Sequence, residues 1–224
     1  MILKYLHRKN VKEKQPVFTH KNVPYFSQWE SKNLVEKIVN GEMSAREDPL
    51  WGISGTSTPE EYELWSRNMC GMACLKSVLK YGKNKDVPIA ELGKKCQDYG
   101  GYITNGSEID GLFYAPFIEF IKKEYELEGE VKKHLTIDGI VEELAAENFI
   151  IASVSHHIRN PSSTPPNKGG HLVLMLGYNL TEEKLRFHNP SGFSGVSQEN
   201  TEISFRDFDK FFAKRGIVIK NPLK

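Results

Sequence analysis

The segment Asn68-Met-Cys70-Gly-Met-Ala-Cys74 places a cysteine where an apolar helical pattern begins. Cysteine attacks carbon centres as the thiolate. At a helix N-terminus, unpaired backbone N–H groups and the positive dipole end both favour that anion. Cys70 falls at or just inside such a terminus, and Gly71 behind it leaves room for a substrate backbone to approach. Cys74 is the rival, one turn further in on a similar face, where the N–H groups are already used within the helix. A buried cysteine is ordinarily a small hydrophobe, a description that suits Cys74 and Cys96 better than Cys70. A metal site on Cys70 and Cys74 would need a histidine-rich partner motif, and none stands near them.

A nucleophilic cysteine needs a base within hydrogen-bond reach and a third group to orient that base. Among seven histidines, His171 opens an apolar strand directly after Lys168-Gly-Gly170. That puts an imidazole at a strand end beside a small-residue loop where a cleft can open. His156 and His157 end the preceding strand in a polar loop, as surface residues or as part of a site lining. Asn189, in Phe187-His-Asn-Pro-Ser-Gly192, follows the next strand. If that strand pairs with the His171 strand, an amide carbonyl there can accept the imidazole N–H and fix its tautomer. Alone, Asn-Pro-Ser-Gly is a turn. His188 points away from Phe187 by alternation and has no assignment. Gln28 can donate a side-chain amide to a developing oxyanion, together with the Cys70 N–H; by itself it reads as a solvated surface residue.

The elements around these residues are readable in part. Residues 1–21 are basic and polar and read as a loosely held arm, followed by one domain over 22–224. Asn22 to Gln28 is extended. Asn40 to Pro59 reads as a long surface loop, closed by Thr58-Pro-Glu-Glu61, which has the form of a capping box with proline at the first helical position. Met69 to Tyr81 is the clearest helix, with Met72, Leu75, Val78 and Leu79 at helical spacing and Gly82 as its stop. Further helices are expected over Val87 to Gln97, after Pro116, from Thr136, and near Asp207 to Phe212. Phe149 to Ser155, His171 to Tyr178, Lys184 to His188, Thr201 to Phe205 and Gly216 to Lys220 read as strands, the second and third pairing across the turn at Asn179 to Glu183. Helices first and strands later predict an α+β fold with an antiparallel sheet.

The 224 residues suffice for one medium domain with a real core. Thirty Lys and Arg against 29 Asp and Glu lack the basic excess of a nucleic-acid binder. The first ten residues are too polar for a signal peptide, because Lys4, His7 and Arg8 interrupt any apolar run. No apolar run is long enough to span a bilayer. Three cysteines cannot all pair within the chain, so a reducing compartment, the cytoplasm by default, is expected.

Asn68 to Gly82 resembles the Cys-Gly-x-Ala helix of the C39 and C39-like peptidases, which are papain-fold cysteine proteases. Gly170-His-Leu-Val-Leu-Met-Leu-Gly-Tyr178 is similar to their histidine strand, and Phe187-His-Asn-Pro190 to their Asp/Asn-Pro turn. Val23-Pro-Tyr-Phe-Ser-Gln28 resembles the segment with their oxyanion glutamine, and the order Gln, Cys, His, Asn agrees. The resemblance implies Cys70 as nucleophile, His171 as base, Asn189 as orienter, Gln28 as oxyanion donor, a peptide or protein as substrate, and no cofactor. It departs from the group in a long insert between Gln28 and Cys70 and in Asn where Asp is common. An acyl transferase or peptide ligase would use the same residues, and a non-catalytic peptide-binding module would keep the fold alone. The insert from Trp29 to Arg67 and the loop from His156 to Gly169 are expected to contact substrate.

Overall fold

The structure is a computed structural model, and it describes residues 15–223. In chain order its regular elements are β1 (Val17–Thr19), α1 (Val35–Val39), α2 (Pro59–Ser66), α3 (Cys70–Lys83), α4 (Ile89–Asp98), β2 (Tyr102–Asn105) and β3 (Glu108–Gly111). There follow α5 (Tyr114–Tyr125), β4 (Gly129–Lys132), α6 (Ile137–Ala145), β5 (Phe149–Ser155), β6 (Gly170–Asn179), β7 (Lys184–His188), β8 (Thr201–Ser204), α7 (Phe205–Phe211) and β9 (Phe212–Ile219).

Seven strands form one antiparallel sheet in the order β4-β9-β5-β6-β7-β8, with β1 alongside the far end of β6; β2 and β3 form a separate hairpin. The centre of the sheet is apolar on both faces, which explains the unbroken apolar runs in β5 and β6. Leu172, Leu174 and Leu176 of β6 pack with α3, α4 and α5, whereas Val173 and Met175 pack with α6 and α7. The expected α+β class is observed. Helices cover both faces of the sheet, because α6 and α7 contribute Ile140, Leu144, Phe208 and Phe211 to the second core.

Helix α3 runs through the first core, with every residue from Gly71 to Leu79 buried. It does not stop at Gly82. It continues to Lys83, and Asn84 ends it in the left-handed conformation at φ 50°, its N–H bonded to Leu79 O. Gly82 is small for a different reason: a Cβ there would lie 2.4 Å from Pro222 Cβ. Thr58 caps α2 as expected, its Oγ1 accepting the Glu61 N–H at 3.1 Å.

Several segments are more ordered than the sequence suggests. Val17–Thr19, expected in a loose arm, pairs with Gly177–Asn179 of β6, and the adjacent His20 ring stacks on Phe149 at 4.0 Å. The expectation for residues 1–14 lies outside the described residues. The insert holds its own cluster of Trp29, Val35, Ala45 and Tyr62. Asp48, fully buried within the expected loop, accepts from Tyr62 Oη at 2.7 Å and from Ser31 N at 3.1 Å. No helix among the described residues is long and apolar enough to cross a membrane.

Candidate active site

Cys70 is the first residue of α3. No side chain caps that terminus, so its early N–H groups stay free to meet an anion. Strand β6 runs past the terminus, and its second residue is His171. Cys70 and His171 line one cleft of about 690 Å³, walled also by Leu112, Phe113, Gly170 and Leu172. Gly71 does not leave space for substrate. A Cβ there would meet Leu112 Cδ2 at 2.7 Å and Leu172 Cδ1 at 3.1 Å, so its missing side chain lets the cleft wall close on α3.

The pairing of β6 with β7 sets the third residue. Leu174 lies opposite His188, so the chain leaving β7 runs back beside the start of β6. Asn189 is the next residue, and its Oδ1 stands 2.7 Å from His171 Nε2. The amide orientation is fixed by its second contact: the Ser191 N–H donates to the same oxygen at 3.2 Å, and an N–H needs an acceptor. Nε2 therefore carries the proton, and Nδ1 is left to accept one. Asn189 is itself held by its N–H to Gln198 O and by Tyr25 Oη to its carbonyl. Its Nδ2 is buried with no hydrogen-bond partner among the described residues.

Gln28 reaches the same region through its backbone. Its N–H donates to Pro190 O at 2.9 Å, beside a Ser27 hydroxyl bonded to the same carbonyl. Its side chain does not line the cleft shared by Cys70 and His171. Gln28 Nε2 donates to Ser66 O at 2.9 Å and makes a long 3.4 Å contact with Arg67 O, in the turn that leads into α3. It lines a separate groove with Arg67 and Arg159.

The other candidates separate by environment. Cys74 is buried, and desolvation holds its thiol well above the usual range. Burial pushes Cys96 up to about 12. His156 is exposed and His157 bonds Ser155 Oγ. His188, unassigned from sequence, is a structural pin: Nε2 donates to Val23 O and Nδ1 accepts the Asn200 N–H.

Two residues join the site without a sequence signal. Ser191 Oγ lies 3.1 Å from His171 Nε2. Arg159 Nε donates to Ser191 Oγ at 2.9 Å and to Ser191 O at 3.0 Å. Neither has a motif of its own; Ser191 lies in the turn after Asn189 and Arg159 in the segment after β5.

The electrostatics differ from a preformed ion pair. Burial raises the Cys70 thiol; the Leu172 and Gly71 N–H groups and the Arg159 charge pull it down by less. The expected help from the helix start is therefore present but outweighed. Burial, reinforced by Arg159, pushes His171 down to about 3. Burial thus disfavours the charged form of each group.

A crystal structure of a C39-like peptidase from Bacillus anthracis matches with a TM-score of 0.54 at 13% identity, covering 91% of this chain and 96% of that one. The peptidase domain of Streptococcus ComA, a bifunctional ABC transporter involved in a quorum-sensing pathway, matches with a TM-score of 0.46 at 20% identity, covering 68% of this chain and 90% of that one. A double-glycine motif protease from an AMS/PCAT transporter, solved with a leader peptide, matches with a TM-score of 0.43 at 19% identity over 67% of this chain and 83% of that one. No curated protein matches the chain. The fold is that of the papain-like C39 peptidases. With residues 20–218 matched, the chain belongs to the Peptidase_C39 like family.

Proposed function

We propose that the protein hydrolyses a peptide or amide bond with Cys70 as nucleophile, His171 as base and Asn189 as the group that orients the base. The bond between His171 Nε2 and Asn189 Oδ1, at a cleft that Cys70 also lines, carries this reading. With the proton held on Nε2, Nδ1 takes the thiol proton as Cys70 Sγ attacks the substrate carbonyl carbon. Burial disfavours the charged form of each group, so in this reading charge separates during this step. Arg159 favours the sulfur anion and opposes the imidazolium. The Cys70 N–H, at the open start of α3, donates to the oxyanion. Gln28 is the second donor in this reading, and the N–H in the long contact with Arg67 O is the one available. The imidazolium then protonates the departing amine. His171 next deprotonates a water, which hydrolyses the Cys70 thioester; the acid leaves and the imidazolium returns its proton to the Cys70 thiolate. These steps need no cofactor. Three unpaired thiols support a reducing, cytoplasmic setting.

Digestion of a peptide library tests the reading. Cleavage products should sum to the substrate plus one water, and Cys70→Ala or His171→Ala should abolish them. Unchanged cleavage by Cys70→Ala would sink the assignment; products lacking the added water would make the protein a transferase.

A further inference from the structure

Among the described residues, no carboxylate lines the cleft beside Cys70. Its charged side chains are Lys132, Lys133 and Arg215, although acids and bases nearly cancel over the whole chain. Lys132 is committed elsewhere, with Nζ 2.9 Å from Glu130 and 3.2 Å from Glu143. Lys133 and Arg215 are exposed, and neither forms an ion pair among the described residues.

The sheet brings this pair to the site. Lys132 of β4 lies opposite Gly216 of β9, so Lys133 and Arg215 come next, side by side, at the end of the sheet where His171 starts β6. The pairing of β9 with β5 is irregular there. Ala152 lies opposite Gly216 and Val154 opposite Phe212, leaving Ala213, Lys214 and Arg215 across from Ser153. Such a bulge re-aims side chains out of the ladder. Lys214 takes the left-handed φ of 54° that this requires. Arg215 then lies over the loop leading to His171: a Cβ on Gly169 would be 3.0 Å from Arg215 Nη2. Gly169 has φ 98°, a conformation that L side chains rarely adopt.

We infer that Lys133 and Arg215 form a subsite for an acidic side chain of the substrate, beside an apolar wall of Leu112, Phe113 and Leu172. The inference rests on the Cys70 cleft being where the peptide binds, and it names the substrate class: peptides with Asp or Glu next to an apolar residue, within a few residues of the scissile bond. Two unpaired cations attract such a chain, whereas a basic peptide meets like charge with no carboxylate to offset it.

Binding can be read apart from chemistry. Labelled octapeptides, in which a Glu pair or a Gln pair is moved along one Leu-Ala frame, are titrated against Cys70→Ala protein by fluorescence anisotropy. The best Glu peptide should bind about tenfold more tightly than its Gln counterpart, the scale of two exposed charge pairs. That advantage should vanish at high salt and in the Lys133→Ala/Arg215→Ala protein, and Arg215→Glu should shift preference toward Lys peptides. Equal binding of Glu and Gln peptides, or an advantage that survives the double substitution, overturns the subsite. Wild-type protein that binds the Glu peptide preferentially yet cleaves none of the set supports the subsite and counts against the peptidase reading instead.

Discussion

Ser191 Oγ stands 3.1 Å from His171 Nε2, the nitrogen that also meets Asn189 Oδ1 at 2.7 Å. Two acceptors thus share one imidazole N–H. Asn189→Ala should therefore lower kcat/KM by about 10²-fold, the low end of general-base effects, because Ser191 still favours the useful tautomer. Asn189→Ala/Ser191→Ala should lose far more than the product of the single effects. A strictly multiplicative double mutant would show that Ser191 does not share the role. Asn189→Asp removes the unpartnered Nδ2 and puts a negative charge against Nε2. It should raise the His171 pKa from about 3, moving the acid limb of the pH–rate profile to higher pH.

Arg159 acts on both partners of the proton transfer. Its charge pulls the Cys70 thiol down and the His171 imidazole down. Arg159→Gln should raise both. Alkylation rates against pH read the thiol directly. Wild-type labelling at Cys70 should climb into the alkaline range without a plateau near neutrality, because burial holds the thiol up. In Arg159→Gln the climb should start at higher pH. Cys74 should label last, being buried and raised further. A neutral-pH plateau at Cys70 would reveal a resting ion pair and overturn this account.

Gln28 separates two roles by two measurements. As an oxyanion donor, its loss in Gln28→Ala should cut kcat by about 10²-fold or more. As a brace, it satisfies the buried turn carbonyl of Ser66, and its loss should cost about 1–3 kcal/mol in urea unfolding. We expect both, since one N–H is firmly bonded and the other holds the long Arg67 contact. An unchanged kcat in folded Gln28→Ala protein would remove Gln28 from the reaction and leave the Cys70 N–H as the donor.

The parts of this site legible in the sequence are those with local signals. The apolar runs of β5 and β6 marked buried strands, the start of β6 located His171, and the end of β7 located Asn189. Cys70 was marked by the helix it begins. Segments whose structure depends on distant partners were not legible. Val17–Thr19 is a three-residue strand in a polar stretch, and its pairing with Gly177–Asn179 of β6 is distant in sequence. Gly129–Lys132 is half-buried throughout and pairs only with β9, so it lacks the apolar alternation that marks a strand. Arg159 and Ser191 meet across 32 positions of sequence. The bulge that aims Arg215 exists only in the register between β5 and β9.

Three buried histidines make the fold sensitive to mild acid. His20, His171 and His188 are all lowered from 6.5, each chiefly by burial. Below that value the unfolded chain binds protons that the native state does not, so stability falls as pH falls; above it the full stability is present. Each histidine that stays neutral contributes a slope of about 1.4 kcal/mol per pH unit in this window. The urea midpoint should therefore drop between about pH 7 and about pH 5, before most carboxylates titrate. His20→Phe keeps a ring against Phe149, which His20 stacks at 4.0 Å, and loses only the 3.2 Å bond to Asn148 O. It should flatten the slope while lowering stability modestly at neutral pH. A midpoint independent of pH across this range would mean that the native and unfolded chains bind the same number of protons, and would overturn the lowered histidine pKa values.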